Sequence, residues 1–450
     1  MDEKPSHPLK AARESLGLDR VQFAEWIQAA ARRRGLRSGV TNTRVRKWEV
    51  DGVTPDGLSQ EYIAEALGVD APGPASAPWP YWLPGAGGRV RPPGGVVELG
   101  PTTTVPALRE ALQATMDHSR RVVVSAISTT ALLALAGAWA NAGPQPPAAV
   151  EEPIAPPASG DDDLVTSLEQ ATNLFTSQPT EARQHTAHVL EALLTSVSNL
   201  LEEGRHRGEA RTRLLSLAAK LAGEVGWHRF DSGRHPEAAR YWIGGLHSAN
   251  ALGDSDLGAG ILSDLAYQAS WRNRPELAAD ILRRALTRTR HPAAQSLLQL
   301  RLARALAVHG DRRATLRALN AAEHLLEAPC ADPVPGWCKW LSNADLAVDT
   351  GQALLDLGDT RHAHTLIREG QSLLPTARDK TRGVFLAYQA KSHLELGEPD
   401  LAAAAATESF ELAQRIGAPR CVKLVRDLTP AFAAFPSAQG VPELLARTAS

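Results

Sequence analysis

Gly233-Arg-His-Pro-Glu-Ala238, Arg272-Asn-Arg-Pro-Glu-Leu277, Gly310-Asp-Arg-Arg-Ala-Thr315, Gly358-Asp-Thr-Arg-His-Ala363 and Gly397-Glu-Pro-Asp-Leu-Ala402 are five versions of one turn, set 39, 38, 48 and 39 residues apart. Each joins stretches whose apolar residues recur three and four positions apart, the spacing of helices with one buried face, and strand-like alternation is missing. Seven residues before the turn stands a small residue in four cases, Gly226, Ala303, Gly351 and Ala390; Leu265 is the exception, with Ala266 beside it. Small residues there let two helices approach closely, so the turns read as elbows of helical hairpins. A unit that cannot bury its apolar face alone must stack on its neighbours, and several in series form a continuous core.

The helical pattern occupies residues 161–430 and opens at Asp161-Asp162-Asp163, acids that suit the positive end of a helix dipole. Residues 431–450 read as a tail. The small residue, the Gly-Asp/Glu turn and the Ala-bearing second helix resemble the tetratricopeptide repeat, drawn out beyond its usual length of about 34 residues. The resemblance implies an α-solenoid with a groove that takes a peptide or protein partner.

Outward from the array the chain changes composition twice. Between Ala71 and Pro106, 16 of 36 residues are Pro or Gly, which marks a linker. Within it Pro78-Trp79-Pro80-Tyr81-Trp82-Leu83-Pro84 is too aromatic for a free tether and is expected to lie against a flanking domain. A second linker, residues 143–160, has 8 Pro or Gly in 18 positions. Between them, residues 107–142 hold one helix and the uncharged run from Val122 to Ala142, preceded by Arg120-Arg121. Its serines, threonines and alanines make it only marginally hydrophobic, so a cytosolic helix or dimer contact is favoured over a membrane anchor or a vestigial export signal.

Residues 1–70 divide into four short helices, about 8–16, 19–33, 42–49 and 59–67. Leu18-Asp19-Arg20-Val21-Gln22-Phe23-Ala24, followed by Thr41-Asn42-Thr43-Arg44-Val45-Arg46-Lys47-Trp48-Glu49, resembles the repressor-like, xenobiotic-response-element family of bacterial helix-turn-helix regulators. The stretch from Ala29 to Val40 is longer than that family's tight turn. The resemblance implies double-stranded DNA as a partner, binding as a homodimer, and a third helix in the major groove. It assigns DNA contact to Asn42, Thr43, Arg44, Arg46 and Lys47, with Arg20 and Arg37 beside them, and has Val45 and Trp48 anchor the helix. Arginine and asparagine suit bidentate contacts to guanine and adenine edges. Seven basic residues and no acid lie between Arg32 and Lys47, although residues 1–70 hold eleven of each sign.

The net charge of -2 means any attraction to DNA is local. Three cysteines, Cys330, Cys338 and Cys421, without a CxxC pair, suggest neither a disulfide framework nor a zinc site. His185 with His188, and His362 with His364, read as surface histidines. Gly258-Ala-Gly260 sits in a helical pattern with no preceding strand, so it is not a nucleotide loop. No enzyme chemistry, metal or cofactor is expected. The N-terminus lacks the basic and then apolar pattern of a secretion signal, and arginine exceeds lysine 40 to 8, the drift of a GC-rich bacterial genome. The expected molecule is an all-α cytoplasmic transcriptional regulator, a small four-helix helix-turn-helix bundle linked to a tetratricopeptide-like α-solenoid. The alternative is a scaffold that binds proteins and not DNA, tethered in one version to the inner membrane through residues 122–142.

Overall fold

The computed structural model describes residues 7–15, 18–34, 36–67, 79–80, 83, 96–100, 102–116, 127–142, 159–178 and 185–449. Among these residues there are helices and connections and no strand. The chain divides into two compact units, Met1–Val96 with Arg120–Ala131, and Val97–Ser119 with Leu132–Ser450.

The first unit contains α1 (Pro8–Ser15), α2 (Arg20–Arg33), α3 (Asn42–Val50) and α4 (Gly57–Leu67). Asp19 starts α2: its carboxylate accepts from the amides of Val21 and Gln22, both at 2.8 Å, while the Gln22 side chain accepts from the Asp19 amide at 2.9 Å. That reciprocal cap satisfies amides that the first helical turn would leave unpaired. Leu9, Phe23, Ile27, Val45, Trp48, Ile63 and Leu67 close a core from all four helices. Leu83 and Trp79 of the aromatic linker stretch pack on this same core; Pro78, Tyr81, Trp82 and Pro84 lie outside the described residues.

The second unit holds α5 (Thr104–Met116), α6 (Thr129–Asn141, from Leu132 onward), α7 (Ser159–Thr176), α8 (Ala187–Glu203), α9 (Gly208–Asp231), α10 (His235–Leu252), α11 (Ser255–Trp271), α12 (Pro275–Leu286), α13 (Pro292–Val308), α14 (Arg312–Glu327), α15 (Asn343–Asp356), α16 (Thr360–Leu373), α17 (Asp379–Leu396), α18 (Pro399–Arg415), α19 (Pro419–Phe432) and α20 (Val441–Thr448). The five repeating turns join α9 to α10, α11 to α12, α13 to α14, α15 to α16 and α17 to α18, and these pairs pack more closely than any others in the unit. The unit is a tetratricopeptide-like helical array.

At each elbow one residue turns left-handed, with φ of 76° at Gly233, 57° at Asn273, 84° at Gly310, 81° at Gly358 and 78° at Gly397. Asparagine tolerates that conformation better than other side chains, which is why the one non-glycine turn carries it. The amide that follows bonds five residues back in every case: Arg234 to Arg229, Arg274 to Ala269, Asp311 to Leu306, Asp359 to Leu354 and Glu398 to His393. This corrects the sequence alignment by one residue at the second turn, where Asn273 rather than Arg272 matches Gly233. The small residue seven positions earlier is then Ala266, and the exception at Leu265 disappears. Five positions after the turn stand Ala238, Ala278, Thr315, Ala363 and Ala402, all fully buried.

The long interval before Gly358 holds the turn Gly336–Cys338, which lays Trp337 against Gly260; a Cβ there would stand 2.5 Å from the indole. Gly258 likewise seats Trp139. The two glycines that resembled a nucleotide loop are therefore seats for tryptophans. Trp139 also carries the Arg288 guanidinium 4.8 Å from its ring centroid, and it defines how the described part of the apolar run is used. That part is the 13-residue α6, with Leu132, Leu135, Ala136 and Trp139 buried; residues 122–126 lie outside the described set. No helix among the described residues is long and apolar enough to cross a membrane.

Two boundaries also move. Leu108, Ala111 and Leu112 of α5 share a core with α7–α10, so the array gains a helix from before the second linker. Residues 431–450 are not a tail apart from the array, because Val441 and Leu444 of α20 are buried in one core with Phe432 and with residues of α17, α18 and α19.

Close packing predicts the cost of enlarging the elbows. A Cβ at Gly351 would stand 2.8 Å from the Ala363 carbonyl oxygen, a backbone atom that cannot step aside. Gly351→Ala is expected to lower stability by about 1–3 kcal/mol in urea titration, whereas Asn273→Gly, which relieves the left-handed strain, should cost nothing.

Candidate functional site

Polar chemistry is concentrated in two places, an exposed helix face in the first unit and a partly buried stripe in the second. In the first unit α3 is held from below. Val45 and Trp48 point into the core, and Glu49, one residue further, is buried as well. Its carboxylate accepts from Arg13 of α1, Nε to Oε1 at 2.6 Å and Nη2 to Oε2 at 3.3 Å, and from Nε of Arg20 at 2.7 Å. One buried charge thus ties three helices together, and it is satisfied by two guanidinium groups.

The opposite side of α3 presents Asn42, Thr43, Arg44, Arg46 and Lys47, all exposed, and Arg37 is exposed on the connection before it. Arg46 pairs with Asp51 at 3.3 Å. Arg20 differs from its sequence assignment in emphasis: its Nε is engaged by Glu49, so it positions α3 from beneath. Arg34 is turned away to Glu61 and Glu65, with Glu65 at 2.8 Å, and lies over the Tyr62 ring. The structure also brings Asp56 toward Arg44: its carboxyl is held below the usual range chiefly by the Ser59 amide, with Arg44 adding to the effect. Arg44 and Lys47, three residues apart on one face, form no hydrogen bond or ion pair with another described side chain.

In the second unit the first helix of each hairpin carries a pair of side chains two residues before and one residue after its small residue. These are Glu224 and Trp227, Asp264 and Tyr267, Arg301 and Arg304, Asp349 and Gln352, and Tyr388 and Lys391. Sequence reading passed over them, although counting from Gly226, Ala266, Ala303, Gly351 and Ala390 finds them all. They join into one stripe. Trp227 Nε1 donates to Asp264 at 3.0 Å, Arg301 pairs with Asp264 at 2.9 Å and lies 5.1 Å from the Tyr267 ring centroid. Arg304 pairs with Asp349 at 2.7 Å and donates to the Tyr388 hydroxyl at 3.0 Å; Lys391 pairs with Asp356 at 2.7 Å. Burial pushes the Asp264 and Asp349 carboxyls above the ordinary carboxylate range, against the pull of Arg301 and Arg304. Gln352 is 4 % exposed and its Oε1 has no hydrogen-bond partner.

The stripe lies on the inside of the array's curl. Asp231 at the end of α9 meets Lys380 of α17, 149 positions away in sequence, and Arg420 of α19, further still. A stripe of neutralised pairs on an inner face can exchange partners with the charges and amides of an inserted chain. The paired histidines carry no such chemistry. His364 is half-buried rather than on the surface, meets His393 edge to face with centroids 4.6 Å apart and bonds Ser392. Among the described residues no group of three His, Cys, Asp or Glu is placed to hold a metal.

Residues 9–74 match the family model of the SP15 N-terminal domain, a match that gives no support to the repressor-like resemblance. No curated protein matches. Among solved structures, the chain is similar to the crystal structure of a Rap protein complexed with competence and sporulation factor, with TM-score 0.39 and 14 % identity over 64 % of this chain and 89 % of that one. It is also similar to the crystal structure of the APC/C hetero-tetramer Cut9-Hcn1, with TM-score 0.29 and 13 % identity over 77 % of this chain and 69 % of that one.

Glu49→Gln leaves Arg13 buried beside a neutral amide, and breaking a buried pair from one side costs about 3–5 kcal/mol. The first unit is expected to unfold well before the second in that variant, as a separate early transition in calorimetry.

Proposed function

We propose that the chain is an interaction protein whose helical array holds an extended protein or peptide segment along its inner stripe. The observation that carries this reading is the stripe itself: five hairpins in register each contribute two polar or aromatic side chains to one face. Stacked hairpins supply such surfaces generally, because neighbouring units repeat the same side-chain positions at fixed intervals. Arginine, tyrosine and tryptophan are the side chains that most often anchor partners, and the stripe contains all three.

A second reading is favoured by α3. Its outward face presents Arg44 and Lys47 with Asn42 and Thr43, over a core that fixes its orientation, which is the arrangement a major-groove helix needs. In this reading the protein is a cytoplasmic transcriptional regulator, two copies presenting α3 to successive half-sites, and the array reports its ligand to the DNA-binding unit. No catalytic step is part of either reading.

Arg304→Lys, which keeps a positive charge beside Asp349 and gives up the guanidinium contact with the Tyr388 ring, is expected to weaken binding to peptides selected on the full-length protein by tenfold or more, about 1.4 kcal/mol, with the helix signal unchanged. Equal binding by variant and wild type would sink the inner-stripe reading. For α3, the full-length protein should bind duplex fragments from its own genome at low salt. The double variant Arg44→Ala, Lys47→Ala should bind less and reduce the slope of log affinity against log salt by roughly 2, about 0.9 for each lost phosphate contact. Absence of wild-type binding at low salt excludes the DNA reading and leaves the first intact.

A further inference from the structure

Arg420 stands across the array from the groups it touches. It belongs to the first turn of α19, whereas Trp227 and Phe230 come from α9 and Tyr267 and Trp271 from α11. Its guanidinium carbon lies 5.8, 5.7, 5.7 and 6.0 Å from the four ring centroids in that order. The rings support one another, with Trp227 to Phe230 at 5.5 Å, Trp227 to Tyr267 at 5.7 Å and Phe230 to Trp271 at 5.9 Å. Arg420 Nη1 donates to the Tyr267 hydroxyl at 2.9 Å, and Nε lies 3.3 Å from Asp231 Oδ1 without forming a hydrogen bond. The side chain is 12 % exposed.

Aromatic faces, a hydroxyl acceptor and a carboxylate make up the chemistry that recognises a guanidinium in preference to an ammonium. The helices around the box do not pack side by side across it: α19 lies against α17 and α18, and α9 and α11 against their own neighbours. A side chain therefore fills the box, not a helix interface. Tyr267 belongs both to the box and to the inner stripe, so a chain lying on the stripe has the box next to it. The poor geometry between Nε and Asp231 leaves a hydrogen bond that a better-placed guanidinium would form.

We propose that this box is an arginine-recognition site, occupied here by the chain's own Arg420, and that a partner segment on the inner stripe inserts an arginine in its place. The proposal rests on the inner-stripe reading. Arg420 is then an internal ligand, and the partner's affinity includes the work of displacing it.

Arg420→Ala vacates the box in the full-length protein. Tryptophan fluorescence, with Trp227 and Trp271 in the box wall, reports binding of N-acetyl-arginine amide. Affinity is expected to be about tenfold or more higher for the variant than for the wild type, weaker for the lysine analogue, and undetectable for the uncharged citrulline analogue. Trp227→Ala in the same background should abolish the arginine response. Equal binding of the arginine and citrulline compounds, or no response from a variant with native circular dichroism, overturns the proposal and makes Arg420 a brace. If Arg420→Ala does not fold, Arg420→Val, which keeps apolar contact at the foot of the box and leaves its far end open, is read in the same way. A peptide that binds the stripe equally well with citrulline in place of each arginine overturns this proposal and leaves the inner-stripe reading standing.

Discussion

Two helices can lie at the distance found in these hairpins only if one of them offers no bulk where they cross. Gly226 admits the Trp242 indole and Gly351 admits the backbone of Ala363, and the same position is alanine in the other three pairs. From that close crossing follows the left-handed elbow, seven residues on, and the buried small residue five residues beyond it. Once the elbow geometry repeats, the first helices of successive hairpins share an orientation, and the positions two before and one after each small residue fall into one stripe. Glycines outside the elbows serve the same end: Gly258 and Gly260 let Trp139 and Trp337 reach α11 from distant parts of the chain.

The inner stripe shows how charge behaves when it is only partly removed from water. Asp264 and Asp349 lie where burial alone would favour the protonated form, and each is kept beside an arginine that also stacks on a tyrosine. Removing one member of such a pair leaves its partner uncompensated, so the network holds the curl of the array as well as offering contacts. Arg420 and Lys380 extend the same logic across the curl, converging on Asp231. A surface whose charges already satisfy one another binds selectively, because an incoming chain must replace each interaction it displaces.

Glu49 plays the corresponding part in the small bundle. Below about 70 residues a core alone supplies limited stability, and here a buried carboxylate shared by Arg13 and Arg20 fixes the angle of α3 against α1 and α2. The exposed residues of α3 take their direction from that fixed angle. Arg34 illustrates the limit of counting charges along a chain, since it was part of the basic run from Arg32 to Lys47 and faces acids that arrive from another helix, and Arg20, assigned to DNA, likewise faces Glu49 of α3.

Sequence by itself determined the class of the fold. Helical periodicity, five related turns and the spacing of small residues are local properties, and local geometry is decided by residues a few positions apart. It also specified the buried side of α3, because Val45 and Trp48 are the only large apolar residues before its last position. What the tertiary structure alone decided was everything that depends on partners far along the chain. The register at Asn273 was set by which residue actually turns left-handed, and the uses of Gly258, of the apolar run ending in α6 and of residues 431–450 were set by tryptophan, leucine and phenylalanine contacts with other helices. The pairing of Arg301 with Asp264, of Arg304 with Asp349, and of Arg420 with four rings and Asp231 belongs to this second kind, because charges and aromatic faces find each other only after the array has curled.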